Sequence, residues 1–200
     1  MMDVPTQLPP GSEQIAAWAR RRGLRHQPLP EPEWYRVWEP FDTVVAPIRY
    51  FNAVELPLAG SRALLAEPWS AAGDAVPLGR AVFAFVEDPR FRHRASARLG
   101  ASYLTRVKWL GATPPKQQQT GDVEWDELAL TYASSPLDAV RAFTPSLRRL
   151  LQAWKFEGHL EIRQGGFMLH LSDVQPTPAD YERLASWLPM VIEKALKAKG

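Results

Sequence analysis

The chain has 200 residues, of which 46% are hydrophobic and 23% charged, with a net charge of +2; this is the size and makeup of one soluble globular domain. It contains no cysteine, which excludes disulfides, thiolate zinc sites, iron–sulfur clusters and cysteine nucleophiles, and fits a reducing cytoplasm. The net charge is too small to dictate a nucleic-acid or membrane partner, and the eight tryptophans are expected in the core or at a contact surface, because so large an apolar ring is costly to expose.

Residues 1–10 read as a flexible tail and 11–200 as one domain, with 111–119 as the candidate boundary of a subdivision. The longest apolar run, Ala81–Val86, is far shorter than the ~18 residues of a membrane span, and Met1–Pro10 has no apolar core of signal-peptide length. A cytoplasmic protein is the expectation. Ser12 is expected to cap a helix with Glu13 in its first turn, Ile15, Trp18 and Ala19 on one face, and Gly23 at its end. Arg20-Arg21-Arg22 in the last turn favours the helix C-terminal carbonyls. With Arg25 and His26, the same stretch is also a candidate anion site, in which Arg22 and Arg25 would serve.

Strand-like text follows Pro28, Pro30 and Pro32. Val44–Val54 is interrupted by Pro47, which points to an edge strand or a bulge. Arg62–Trp69, Arg80–Glu87 and Ser102–Leu110 continue it, with turn residues between. This spacing predicts an antiparallel meander. The densest basic patch, Arg90–Arg98, lies between the last two of these strands. Arg92, Arg94 and Arg98 interleave with Phe91 there, as cations and aromatics do on some nucleic-acid surfaces. No nucleic-acid-binding motif accompanies them, so nucleic acid is not the expected partner and a solvated loop beside Glu87 and Asp88 is the plainer reading. Gly111–Gln119, with Pro114-Pro115 and three glutamines, reads as a connector.

The C-terminal half has three proline-marked helix starts, Ser135-Pro136, Thr144-Pro145 and Thr177-Pro178. Leu147, Leu150, Leu151 and Trp154 give the second of these helices an apolar stripe. Gly158 breaks it, and His159–Leu171 then alternates as a hairpin. With a Gln164-Gly165 loop, His159 faces His170; with Gly165-Gly166, His170 faces Glu161. His159, Glu161 and His170 are therefore the candidate metal ligands, on the face turned away from the core. The last helix is expected from Pro178 to Lys197, with Tyr181, Leu184, Leu188 and Ile192 toward the core. Pro189 interrupts its hydrogen bonding. Trp187 and Met190 fall off the stripe and are the candidate partner-binding residues; the alternative is a curved helix wrapped on a twisted sheet.

No nucleophile elbow, glycine-rich phosphate loop or paired-histidine motif appears. Asp122, Glu124, Asp126 and Glu127 surround Trp125, but their spacing matches no calcium loop. Asp122 is expected to bond to the local backbone. No catalytic residue and no cofactor is assigned.

Several of these segments recur together. Gly121-Asp122, Trp125-Asp126-Glu127-Leu128, Ser134-Ser135-Pro136 and Phe143-Thr144-Pro145 with Leu147 and Leu150, preceded by Trp18-Ala19 and Arg22-Gly23-Leu24, resemble a set of bacterial proteins that share a domain of unknown function. Those proteins carry Gly-Asp-x-x-Phe-Asp ahead of a strand, and a Leu-Thr-Pro helix start. Trp125 stands here for the usual Phe, and Ser135 for the Asp before Pro136. The resemblance implies a bacterial source and an α+β fold, and carries over no site residue. The expected fold is α+β: an antiparallel meander extended by the C-terminal hairpin, packed by the N- and C-terminal helices. The expected function is a non-enzymatic protein-interaction or scaffold module, with self-association as a homodimer included. The alternatives are an anion- or nucleic-acid-binding protein using Arg20–Arg25 and Arg90–Arg98, or a small-ligand pocket protein or enzyme.

Overall fold

Nine strands form one antiparallel sheet in this computed structural model, which describes residues 7–31, 49–69, 80–100 and 115–197. In chain order the elements are α1 (Ser12–Arg21), β1 (Arg25–Gln27), β2 (Arg49–Leu58), β3 (Ser61–Trp69), β4 (Phe83–Glu87), β5 (Ala95–Leu99) and β6 (Lys116–Gln117). There follow α2 (Val123–Leu128), β7 (Ala129–Ala133), α3 (Pro136–Ala142), α4 (Pro145–Ala153), β8 (Gly158–Arg163), β9 (Gly166–Leu171) and α5 (Pro178–Leu196). The sheet order is β1-β2-β3-β4-β9-β8-β5-β7-β6. Among the described residues its edge strands have three and two residues.

The expected α+β fold is present, and the meander appears as β2-β3-β4. The C-terminal hairpin extends that meander as expected, β9 pairing with β4, and lies in the middle of the sheet because β5, β7 and β6 follow β8. Two placements differ from the sequence reading. Ala95–Leu99, read as a basic loop, is a central strand between β8 and β7. Residues 116–117, read as connector, pair with β7, and the sheet takes strands from both sides of 111–119. The expected strand at 102–110, the turn at 72–74 and residues 44–48 lie outside the described residues.

One face of the sheet carries the main core. Ile15 and Trp18 of α1 and Tyr181, Leu184 and Leu188 of α5 pack there against Val54, Leu65, Ala84, Leu160 and Leu169. Trp18 meets Tyr181 edge to face at 5.6 Å, so the first and last helices share one face, as expected. The opposite face has its own cluster, which includes Tyr50, Leu64, Phe83, Phe85 and Met168. Successive strand residues point to opposite faces, so a strand buried on both sides reads as an unbroken apolar run. That is why Ala81–Val86 shows no alternation.

Two glycines permit close strand approach. A Cβ on Gly158 would lie 2.0 Å from the His170 carbonyl oxygen, and one on Gly166 would lie 1.9 Å from that of Val86. Side-chain caps open the later helices: Ser135, Thr144 and Thr177 accept from Asp138, Leu147 and Asp180 backbone N–H groups. Ser12 does not cap α1. Gly11 holds the N-cap position in a left-handed conformation, and the Ser12 hydroxyl donates to the Pro9 carbonyl at 2.7 Å.

Candidate functional site

The acidic stretch around Trp125 is structural. Asp122 caps α2 by accepting from the Trp125 N–H, and its other oxygen accepts from Arg148 Nε at 2.9 Å. Asp126 accepts from the Thr120 N–H and hydroxyl, both at 2.9 Å, and from the Gly121 N–H. Trp125 is fully buried and donates its indole N–H to Thr131 Oγ1 at 2.9 Å. All of these acids but Glu124 and Glu127 are thus spent on holding a turn and a short helix.

His159, Glu161 and His170 do converge, but not as expected. The loop is Gln164-Gly165, and His159 pairs with His170 across β8 and β9. Their face is buried rather than solvated: the three residues are 0%, 2% and 4% exposed. His159 Nε2 lies 3.2 Å from a Glu161 oxygen, and the His170 ring packs on Phe83 at 5.1 Å. Burial first, and then the adjacent His159 charge, pushes the His170 pKa down to about 3. Among the described residues no group of three His, Cys, Asp or Glu side chains is placed to hold a metal. The unbroken apolar run Ala81–Val86 was the sign of a second buried face, whereas His159–Leu171 alternates and was read as half exposed.

A buried polar network that the sequence did not reveal joins four elements. The β2 register shifts between Phe51 and Val54, and Asn52 sits in that bulge with a φ of 52°. Its side-chain amide donates to Ser12 Oγ at 3.0 Å and to Glu67 at 3.2 Å, while its backbone carbonyl oxygen accepts from the Tyr181 hydroxyl at 3.0 Å. Arg80 binds both Glu67 oxygens, at 2.8 and 3.0 Å. Burial raises the Tyr181 pKa well above its usual value. Ser12, Asn52, Glu67, Arg80 and Tyr181 are linked in one run of bonds that, among the described residues, leaves Asn52 Oδ1 without a partner, and the cluster fastens α1 and α5 to the sheet.

The two basic segments do not form one surface. Arg22 pairs with Glu182 at 2.8 Å and Arg25 with Glu55 at 3.5 Å. Arg98 is 3% exposed on β5, with its guanidinium 5.7 Å from the Tyr132 ring centroid. Six strand steps separate β1 from β5, or roughly 29 Å at about 4.8 Å each. Arg92 and Arg94 are exposed. Of the partner-binding pair, Met190 is 37% exposed, whereas Trp187 stacks on Trp154 with centroids 4.0 Å apart. Arg183 covers Trp187 at 5.6 Å.

What remains open is a cleft of about 400 Å³. The loop before β5, α3, the start of α4, Ile162 of β8 and the end of α5 build it. Buried Phe91, Ala142, Ile162 and Ala195 form the floor, and Leu137, Val140 and Leu196 the walls. Leu137 is 56% exposed. Arg92, Arg141 and Lys197 stand exposed at the rim. A second hollow of about 720 Å³ adjoins along Pro57, Leu58, Pro189 and Ile192 and shares Arg90, Leu196 and Lys197. Burial raises the Asp88 pKa, but the bonds from Arg90 and Ser61 outweigh it and leave it lowered. His93 also faces the cleft, its Nδ1 3.4 Å from Asp138, which accepts from the Ser135 hydroxyl at 2.8 Å. This arrangement supplies an imidazole and a carboxylate but, among the described residues, no hydroxyl bonded to His93 for it to activate.

The fold is thus an α+β domain with helices on a nine-stranded antiparallel sheet and an apolar cleft at one end of its helical layer. No protein-family model matches the chain, and no curated protein does. A solved structure does match: that of the mycobacterial trehalose monomycolate transport factor A, TtfA, with a TM-score of 0.59 over 94% of this chain and 97% of that one. At 11% identity the likeness establishes a shared fold. Among the described residues no helix is long and apolar enough to cross a membrane.

Proposed function

We propose that the chain is a non-enzymatic binding module whose working site is the cleft between residues 90–93 and α3–α5, and that its occupant is a small amphiphile. The observation that carries this reading is the joining of an apolar floor to a cationic rim in one concavity of ligand size. Stacking of Trp187 on Trp154 supports a ligand over a protein partner, because the larger of the two candidate contact side chains is used within the chain. The fold neighbour is named a transport factor for trehalose monomycolate; the reading rests on the cleft and not on that name. The lack of cysteine supports a reducing compartment such as the cytoplasm.

The test is thermal unfolding of the purified chain with neutral and charged single-chain amphiphiles below their micellar concentrations, beside Val140→Trp, which fills the cleft. Saturable stabilisation of the natural chain, lost in the variant, is expected. Equal response of the two proteins contradicts the reading. A second reading, self-association or a protein partner on the same face, is favoured by exposed Met190. It requires a dimer mass by light scattering that Met190→Asp reduces.

A further inference from the structure

The cleft's charges also specify its ligand. Arg90 is bound by Asp88 through contacts of 2.6 and 2.9 Å. Asp138 accepts from the Ser135 hydroxyl and lies beside His93, so it still counts as one acid next to the cleft, and Glu193 in the adjoining hollow is paired with Lys194 at 2.7 Å. Against that acid the mouth carries three cations, Arg92, Arg141 and Lys197. Neither Arg92 nor Arg141 has a carboxylate partner among the described residues, so the field at the mouth is positive. A guanidinium matches carboxylate and phosphate oxygens two at a time. The same cleft is lined by apolar Phe91, Val140 and Ile162. A free inorganic anion would leave that surface wet, and a wholly apolar ligand would leave the cations unmatched.

We propose that the cleft takes a single-chain amphiphile with an anionic head, an alkyl phosphate or a fatty carboxylate. Its head lies between Arg92 and Arg141, and its chain runs over Val140 and Ile162 toward Leu196. This rests on the binding-module reading and adds the head-group chemistry to it. The adjoining hollow, reached past Leu196, gives a longer chain somewhere to continue.

The experiment is calorimetric titration of the full chain with dodecyl phosphate, with the neutral dodecylglycerol, and with inorganic phosphate. It is repeated on Arg92→Gln/Arg141→Gln and on Val140→Trp. Both arginines are exposed, so the double variant is expected to fold, and its unfolding midpoint verifies this. Dodecyl phosphate should bind one to one, weaken about tenfold in the double arginine variant, and be lost in Val140→Trp. Inorganic phosphate should not saturate. If dodecylglycerol binds as tightly as dodecyl phosphate, or the arginine variant binds dodecyl phosphate unchanged, the anionic-head inference is overturned while the binding-module reading stands. If neither dodecyl compound saturates, both are overturned. If inorganic phosphate alone saturates, the site is a plain anion site and both are overturned.

Discussion

Acid should destabilise this protein through His170, and by a calculable amount. The ring is buried beside His159, and its pKa is about 3 against an ordinary 6.5. At pH 7 the imidazole is neutral in both folded and unfolded chains, so it contributes no pH dependence there. Below pH 6.5 the unfolded chain takes up a proton that the folded chain refuses. The unfolded state then binds more protons, and stability falls as pH drops from 6.5 toward 3. Each pH unit is worth about 1.4 kcal/mol, so the step from pH 6.5 to 5 costs about 2 kcal/mol. Urea unfolding followed by circular dichroism at pH 7, 6 and 5, on the natural chain and on His170→Gln, isolates this term from other titrating groups. His26, whose pKa burial also lowers against the opposing influence of the Asn52 side chain, contributes equally to both proteins. The natural chain should lose about 2 kcal/mol more than the variant between pH 7 and 5. Identical pH slopes would refute the reasoning.

Three further outcomes follow from the packing. Gly158→Ala places a Cβ 2.0 Å from the His170 carbonyl, with backbone on both sides; it should cost about 3 kcal/mol or more, seen as a lower urea midpoint. Thr131→Val removes the acceptor of the buried Trp125 indole N–H and should cost about 1–3 kcal/mol, with a change in tryptophan emission. Arg80→Met leaves Glu67, 4% exposed, without its cation. Because the Arg80 side chain is 41% exposed, screening holds the cost to about 1–2 kcal/mol. Glu67→Gln added to it should restore part of the loss in a double-mutant cycle.

Local chemistry was legible in the sequence wherever a short motif suffices. Ser135, Thr144 and Thr177 cap helices as their Pro-marked text implies, and Gln164-Gly165 turns the hairpin by one of the two registers considered. Placement of the strands beyond the hairpin was not legible, because the insertion of β9 and β8 between β4 and β5 is set by long-range pairing. That insertion buries His159, Glu161 and His170, which alternation alone assigned to water. Asn52 escaped notice because the expected bulge was tied to Pro47, whereas the register shift falls between Phe51 and Val54. The cleft escaped notice for a related reason: Phe91, Leu137 with Val140, Ile162 and Leu196 come from four separate segments. Its one local sign was Leu137, an apolar residue directly after a helix-starting proline.

The central claim, that the cleft is the working site, is tested most directly by mapping amide chemical shifts during titration with dodecyl phosphate. Saturating shifts clustered at Phe91–His93, Leu137–Ala142, Ile162 and Ala195–Lys197 are predicted. Shifts centred instead on α1 and β1, or absent from the cleft while the ligand binds, would contradict it.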